Sequence, residues 1–442
     1  MNILFITLII IALAYSFKRS PEKGMGIAIF FLVALTAYLS LKTPGNLPKF
    51  TLHRIILICL FVFWLKRRKA GDPPVSRYDL FAPFMLLAAI SFISMLFSMD
   101  RVFSFKTYLS LTLELFLFYI ILTKFLWQTN SGRTLLKQAY AALFITAVLG
   151  IIEKKTGFNP VDAFLSGYVR KDTLVMDVMS TFPHRIFFGL GMAMAWPLGI
   201  GLSAMETVKW KRNLYLLTLP VIFLACYFSD SRGPWVAAAV AGLIMLVMGS
   251  GAMRKKILVF AGLALVALLF NPGARETLNS KVQETRNKDS FKGQTYQYRW
   301  ELWGIALTAI KSSFKTLLIG TGPGTSEVKT YVTILSYSGE EEVIESWDNE
   351  YAATLLETGF LGLGALLLLH FVAVIKIYRK WRTSLPPQKD LRATVMASLG
   401  ALLFMMTNVK MFSPQINYLT WTLVAVGLTV GVDGSRTRMQ RS

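Results

Sequence analysis

Long stretches without a single charged residue recur along this chain. Residues 25–41, 80–99, 186–205, 213–229, 233–253, 257–274, 393–409 and 411–432 are each free of Asp, Glu, Lys and Arg. Residues 3–17, 55–65 and 138–152 are shorter runs of the same kind. Residues 107–123 and 351–375 are interrupted once each, by Glu114 and Glu357. A bilayer core takes about 20 apolar residues as a helix. In hydrocarbon the backbone must satisfy its own polar groups, which leaves helices or closed barrels. Barrel strands alternate in character over about ten residues, and these runs do not alternate. The pattern predicts about 13 membrane-spanning helices. The fold class expected is therefore all-α and polytopic, with 12–13 transmembrane helices in a single integral membrane domain over residues 1–442.

Composition agrees. Hydrophobic residues make up 54% of the chain and charged residues only 16%, and the mean hydropathy is +0.51. Soluble domains average about 25% charged residues, so no soluble core absorbs this much apolar sequence. The net charge of +22 sits largely in the loops flanking the apolar runs, and no nucleic-acid partner is expected. The only two cysteines, Cys59 and Cys226, lie inside apolar runs, which excludes a disulfide framework. The only three histidines, His53, His184 and His370, are widely dispersed. No metal site and no cofactor are expected.

Basic residues give the sidedness. Lys and Arg concentrate in loops 18–23, 66–77, 209–212, 254–256, 376–392 and 436–441. The short loops 42–51, 99–107, 229–234 and 410–415 are poor in them. Cytoplasmic loops carry the excess of basic residues. With 13 spans the N-terminus is expected outside and the C-terminus inside. Residues 1–17 lack a basic leading region and a small-residue cleavage site, so no cleavable signal is expected. Two longer outer loops, 153–183 and 271–350, break the rhythm. Within the second, residues 296–314 place Trp300, Trp303, Ile305, Leu307 and Ile310 among polar residues. That spacing predicts an amphipathic helix at the outer interface.

The candidate chemistry gathers in these outer segments. Residues 229–235 read SDSRGPW. Arg232 there is either a headgroup anchor or a bidentate phosphate ligand. Arg299 lies in YQYRWELW (296–303), and GTGPG follows at 320–324. No strand precedes that glycine run and no lysine follows it, so it reads as a tight turn rather than a nucleotide loop. Acidic residues including Glu345, Asp348 and Glu350 lead into the next apolar run. Asp348 and Asn349 suit a helix cap, and a carboxylate there also suits a general base. His184 and Arg185 stand at the entry of another run, with Arg170 and Lys171 upstream. Several cations on one membrane face suit a diphosphate held by a lipid tail. Glu114 is an intramembrane ionisable group and so a site candidate of lesser weight.

Together these segments resemble the O-antigen ligase and O-antigen polymerase family of bacterial envelope enzymes. SDSRGPW is similar to the family's S-R-G-x-W motif. YRWELWGIALTAIKSSFKTLLIGTGPGT resembles its R-x-x-x-W helix ending in a glycine-rich turn. WDNEYAATLLETGFLGLGALLLL resembles the segment usually written H-N-x-Y-L-x-x-x-x-E-x-G-x-x-G. TFPHRIFFGLGMAMAWPLG is a weaker match after the earlier loop. The family-like core runs over 229–375.

The resemblance implies a fold of the lipid-carrier glycosyltransferase (GT-C-like) type in the bacterial cytoplasmic membrane, with a periplasmic active site. It implies metal-independent transfer of a glycan from a polyprenyl (undecaprenyl) diphosphate to an acceptor hydroxyl. It assigns diphosphate binding to Arg232 and Arg299, with Arg185 and Arg170 as candidates for a third cationic place. It assigns acceptor activation to Asp348, with His184 and Glu345 as other candidate bases. The partners implied are the lipid-linked glycan, a glycan or lipid acceptor, the bilayer, and other polysaccharide export proteins.

Ligases acting on lipid A–core have His where this chain has Asp348, and the ordinary pKa values of the two differ by about 2.6. The Asp-Asn variant fits polymerisation of exopolysaccharide or O-antigen repeats better. The alternative is a ligase acting on lipid A–core or protein. A transporter of lipid-linked glycan is the reading from another class. It predicts duplicated halves, which the sequence lacks, and essential polar groups such as Glu114 and His370 at mid-membrane.

Overall fold

The computed structural model describes residues 2–35, 39–41, 49–67, 74–159, 178–270, 272–287, 291–327, 333–335, 341–343 and 347–430. Helices dominate. α1 (Asn2–Arg19) and α2 (Pro21–Ala34) meet at Ser20 and pack on each other. α3 (Leu52–Lys66) starts at Thr51, whose hydroxyl accepts from the Arg54 backbone N–H. α4 (Phe81–Leu96), α5 (Arg101–Thr129) and α6 (Gly132–Thr156) follow, and α5 carries a π turn over Leu109–Leu113. Then come α7 (Arg185–Met205), α8 (Lys209–Phe228), α9 (Arg232–Met248) and α10 (Gly251–Phe270). α11 (Pro272–Arg286), α12 (Phe291–Ile310) and α13 (Phe314–Ile319) lead to α14 (Glu350–Arg382), α15 (Gln388–Met405) and α16 (Pro414–Thr429). Two short antiparallel ladders pair Ser40–Leu41 with Phe50–Thr51 and Thr333–Leu335 with Glu341–Val343.

By length and composition, α5, α6, α7 and α14 are able to cross a membrane, and the shorter α4 and α9 are also apolar. The chain is an all-α, multi-pass membrane protein. Apolar attraction between helices is weak in lipid, so close backbone packing matters more. α7 shows this. It lies at the centre against α6, α8, α9 and α15, and nearly all of it is buried. A Cβ on Gly199 would come within 2.7 Å of both Tyr140 Oη and Leu219, and one on Gly189 within 2.7 Å of Pro234. Glycine at these places lets the neighbouring helices approach.

α14 is broken near its start. Gly359 adopts φ +65° and ψ −167°. The break frees two carbonyls, which are recaptured from outside the helix. Thr321 N–H donates to Leu356 O (3.0 Å) and Gly322 N–H to Glu357 O (2.8 Å), while Ser94 Oγ also donates to Glu357 O (2.8 Å). The glycine run at 320–324 is therefore a turn docked on a broken helix. Its three glycines all have positive φ, and a Cβ on Gly322 or Gly324 would clash with the side chains of Ser98, Ser104 and Thr107.

Two expectations need adjusting. Residues 271–350 form more than a loop with one helix at 296–314, because α11, α12 and α13 occupy most of 272–319. The helix at Arg299 runs Phe291–Ile310, and it ends there because Ser313 and Thr316 form a capping box for α13.

Candidate active site

The turn between α8 and α9 is pinned from inside. Ser229 is fully buried, and its hydroxyl donates to Cys226 O (2.7 Å). Trp235 Nε1 donates to the same carbonyl (3.0 Å), and its ring stacks on Tyr227 with centroids 5.5 Å apart. Asp230 takes the left-handed conformation (φ +51°) that the tight reversal needs. Arg232 is then the first residue of α9. Asp230 lies 3.9 Å from Arg185 at the start of α7. His184 caps α7, its Nδ1 accepting from Ile186 N–H (3.2 Å).

A second group forms where α12 meets α14. Leu302, Ala306 and Ile310, spaced four apart, are buried with Trp347, Ala352, Leu355 and Leu356. This packing turns Arg299 toward Asp348, whose carboxylate receives Arg299 Nη2 at 3.3 Å. Arg299 Nε is buried with no partner among the described residues. Asn349, not Asp348, caps α14: its side chain accepts from Tyr351 and Ala352 N–H. Asp348 is thereby left to face the guanidinium. Burial pushes its carboxyl above the ordinary aspartate value, and Arg299 partly holds it down.

The loop between α15 and α16 joins the two groups. Met405 sits against Gly233, where a Cβ would come within 3.0 Å of its sulfur. Glu350 N–H donates to Met406 O (2.8 Å), Lys410 N–H donates to Trp347 O (3.2 Å), and Met411 N–H donates to Glu350 Oε2 (2.7 Å). Phe412 packs edge-on against Phe187 of α7, 4.6 Å between centroids. Neighbours of the Arg185–Asp230 pair (Phe187 and Gly233) and of the Arg299–Asp348 pair (Trp347 and Glu350) thus all meet this one loop or the end of α15 that leads into it.

Lys410 anchors that loop. Its ammonium donates to Glu357 (2.7 Å), Glu327 (3.0 Å) and Ser326 (2.8 Å). Burial alone lowers an ammonium's pKa, but the carboxylates of Glu357 and Glu327 outweigh it and hold Lys410 above the ordinary lysine value. The sequence reading missed this residue, although it is the only charge between positions 393 and 432. Such isolation inside an apolar stretch was the available signal.

The remaining candidates divide. Arg170 and Glu345 lie outside the described residues. Glu114 pairs with Arg54 of α3 at 2.6 Å, away from Asp348's partners. His370 lies within α14, its Nδ1 bonded to Leu366 O (3.0 Å).

Residues 217–367 match the family model described as O-antigen ligase. The matched stretch contains the pinned α8–α9 turn, Arg299, the glycine turn and the broken start of α14. No curated protein matches the chain.

Proposed function

From the O-antigen ligase match over residues 217–367, we propose that this protein is a glycosyltransferase of the lipid-carrier (GT-C-like) type. It moves a glycan from undecaprenyl diphosphate to an acceptor hydroxyl, joining exopolysaccharide or O-antigen repeat units. The observation that carries the site is the Arg299–Asp348 pair, with Arg299 Nε left over as a buried donor. Such a donor suits a phosphate oxygen. When the diphosphate engages Arg299, Asp348 is released to take the acceptor proton. The acceptor oxygen bonds to the sugar C1 as the C1–O bond to the diphosphate breaks. The diphosphate leaves with that bond's electron pair. Arg232 and Arg185 offset the charge that grows on it, so the step asks for no metal. Arg170 remains the further candidate cation, and Glu345 and His184 the further candidate bases.

An apolar groove supports a lipid carrier. An apolar groove of about 590 Å³ runs between α7, α8, α9 and α10, lined by Trp196, Phe223, Leu246, Ile257 and Phe260. Tyr227 and Trp235, which pin the turn carrying Arg232, also line it. Arg232 stands near its end, so a polyprenyl chain lying in the groove presents its diphosphate there.

The same reading takes residues 1–442 as one membrane domain of 12–13 spans, with 153–183 and 271–350 on the periplasmic side of the inner membrane. The bundle end opposite the site supports this sidedness, because Lys376 and Lys380 cluster there on Asp79. The deciding experiment is glycan length in the native host, comparing wild type with a deletion. Single repeat units accumulating on the carrier identify a polymerase. Long chains on the carrier with naked acceptor identify a ligase. Normal glycans in the deletion strain refute both.

A further inference from the structure

A second cavity is lined in part by Phe412 and Pro414, at the end of the 405–414 loop, and shares no residue with the tail groove. It encloses about 280 Å³ between α3, α5 and the start of α16. Its walls include Arg54, Glu114, Ser110, Asn417, His53 and Tyr418, and it touches the central site through Pro183, which precedes His184, and through Phe412. This is just under the usual ligand-pocket range of about 300 Å³ upward, which limits the occupant to a small group about the size of one sugar ring.

The cavity has a built polar wall. Arg54 donates through Nε to Glu114 (2.6 Å) and through Nη2 to Ser110 (2.6 Å). The π turn of α5 directly precedes Glu114. A π turn inserts one residue into the helix and often marks a functional site. His53 supplies an independent sign. It is 2% exposed, its Nε2 bonds to Leu32 O at 3.1 Å, and its Nδ1 is buried with no partner among the described residues. A carbonyl only accepts, so Nε2 carries the proton and Nδ1 of the neutral ring is an unfilled acceptor. Tyr418 holds that ring by stacking at 5.5 Å, nearly parallel. A buried acceptor without a partner carries a desolvation cost unless something donates to it.

We propose that this cavity is the acceptor-sugar subsite, taking the terminal sugar of the acceptor glycan. The proposal rests on the glycan-transfer reading above. A sugar ring offers several hydroxyl donors, which Glu114 accepts and which reach His53 Nδ1 once the wall now covering it shifts, and an apolar face for Tyr418 and Phe412. The position argues for acceptor over donor. The donor's tail groove and Arg232 adjoin α8 and α9, whereas this cavity is bordered by α3 and α5.

The test is saturation-transfer NMR on the full-length protein in nanodiscs, with methyl glycosides of glucose, galactose, N-acetylglucosamine and rhamnose as probes. At least one glycoside receives saturation from the wild type. Leu111→Trp, which fills the cavity without touching the Arg54–Glu114 pair, abolishes that signal, and Arg232→Ala keeps it. His53→Phe preserves the ring stack, removes the acceptor and weakens binding about tenfold; it decides the matter if Leu111→Trp does not fold. No signal from wild type, an unchanged signal in folded Leu111→Trp or in His53→Phe, or its loss in Arg232→Ala each overturns the subsite. In a transfer assay, Leu111→Trp raises the acceptor KM about tenfold and leaves the donor KM unchanged; a change confined to the donor KM overturns the acceptor assignment. Sugar binding is read without turnover, so failure of the transfer reading shows separately, as wild-type protein that binds glycoside and transfers nothing.

Discussion

Arg299 sets the state of Asp348. Burial raises the Asp348 carboxyl, and the guanidinium at 3.3 Å opposes that rise. In the proposed mechanism Asp348 is the base and must be deprotonated to accept a proton, so the transfer rate is expected to climb as pH rises through its pKa. Removing Arg299 takes away the group that holds this pKa down. In Arg299→Gln the acid limb of kcat/KM therefore moves to higher pH, besides any loss in the plateau. A limb that stays put, or moves to lower pH, shows that Asp348 is not the titrating group. Asp348→Asn keeps the shape and removes the base, and a loss of about 10²–10⁴-fold is expected, with the circular dichroism spectrum unchanged. If Asp348→Asn retains wild-type activity, the base is His184 or Glu345. His184 Nδ1 already serves as a helix cap, which leaves only Nε2 for that work.

At the scale of elements, the site depends on a broken helix and a buried ion cluster. Gly359 has φ +65° with ψ near 180°, a region essentially confined to glycine, where other residues lose about 1–3 kcal/mol. Its neighbours there are backbone atoms of Leu318 and Ile319, which have no freedom to yield. Gly359→Ala is expected to lower the Tm of detergent-solubilised protein well beyond Gly157→Ala. Gly157 has a similar φ of +69° but nothing near its missing Cβ. Equal shifts in the two variants would mean that the docked turn contributes nothing. Lys410→Met leaves Glu357 as an uncompensated buried carboxylate, which costs about 3–5 kcal/mol. Adding Glu357→Gln to it recovers part of that stability, measured as a double-mutant cycle.

These two features also show what a sequence makes legible. Apolar run length announced the helices, because hydrocarbon leaves the backbone little choice. GTGPG announced a turn, because positive φ is a local property of glycine. What the turn docks against was hidden, since the partners of Thr321 and Gly322 lie 35 residues away in α14. Lys410 was passed over for the same reason: its three partners come from two distant segments. The motif residues Arg232, Arg299 and Asp348 were legible as chemistry, whereas the pairing of Arg299 with Asp348 required the fold.

For the molecule as a whole, the question is whether polar groups serve transfer at one end of the bundle or passage through its middle. The contacts favour the end. Arg185 lies 3.9 Å from Asp230 in the turn before Arg232, Arg299 pairs with Asp348, and an apolar groove runs from Tyr227 and Trp235 down to Phe260. His370, well inside α14, is bonded to its own helix at Leu366 O and lies 6.2 Å from the Trp421 ring, as expected of a packed side chain. A transporter would need such an intramembrane group to titrate or switch partners. Transfer would need the arginines instead, since each offsets charge developing on the leaving diphosphate. Arg232→Ala and Arg299→Ala are therefore expected to abolish transfer in purified protein, with membrane insertion retained, while His370→Phe leaves transfer intact. EDTA is expected to leave the wild-type rate unchanged, because in the proposed mechanism arginines do the electrostatic work. The assay is incorporation of labelled glycan from undecaprenyl diphosphate into acceptor by membranes and by purified enzyme. Wild-type rates in both arginine variants would remove the diphosphate assignment. Loss of function in His370→Phe with Asp348→Asn active would shift the reading to transport.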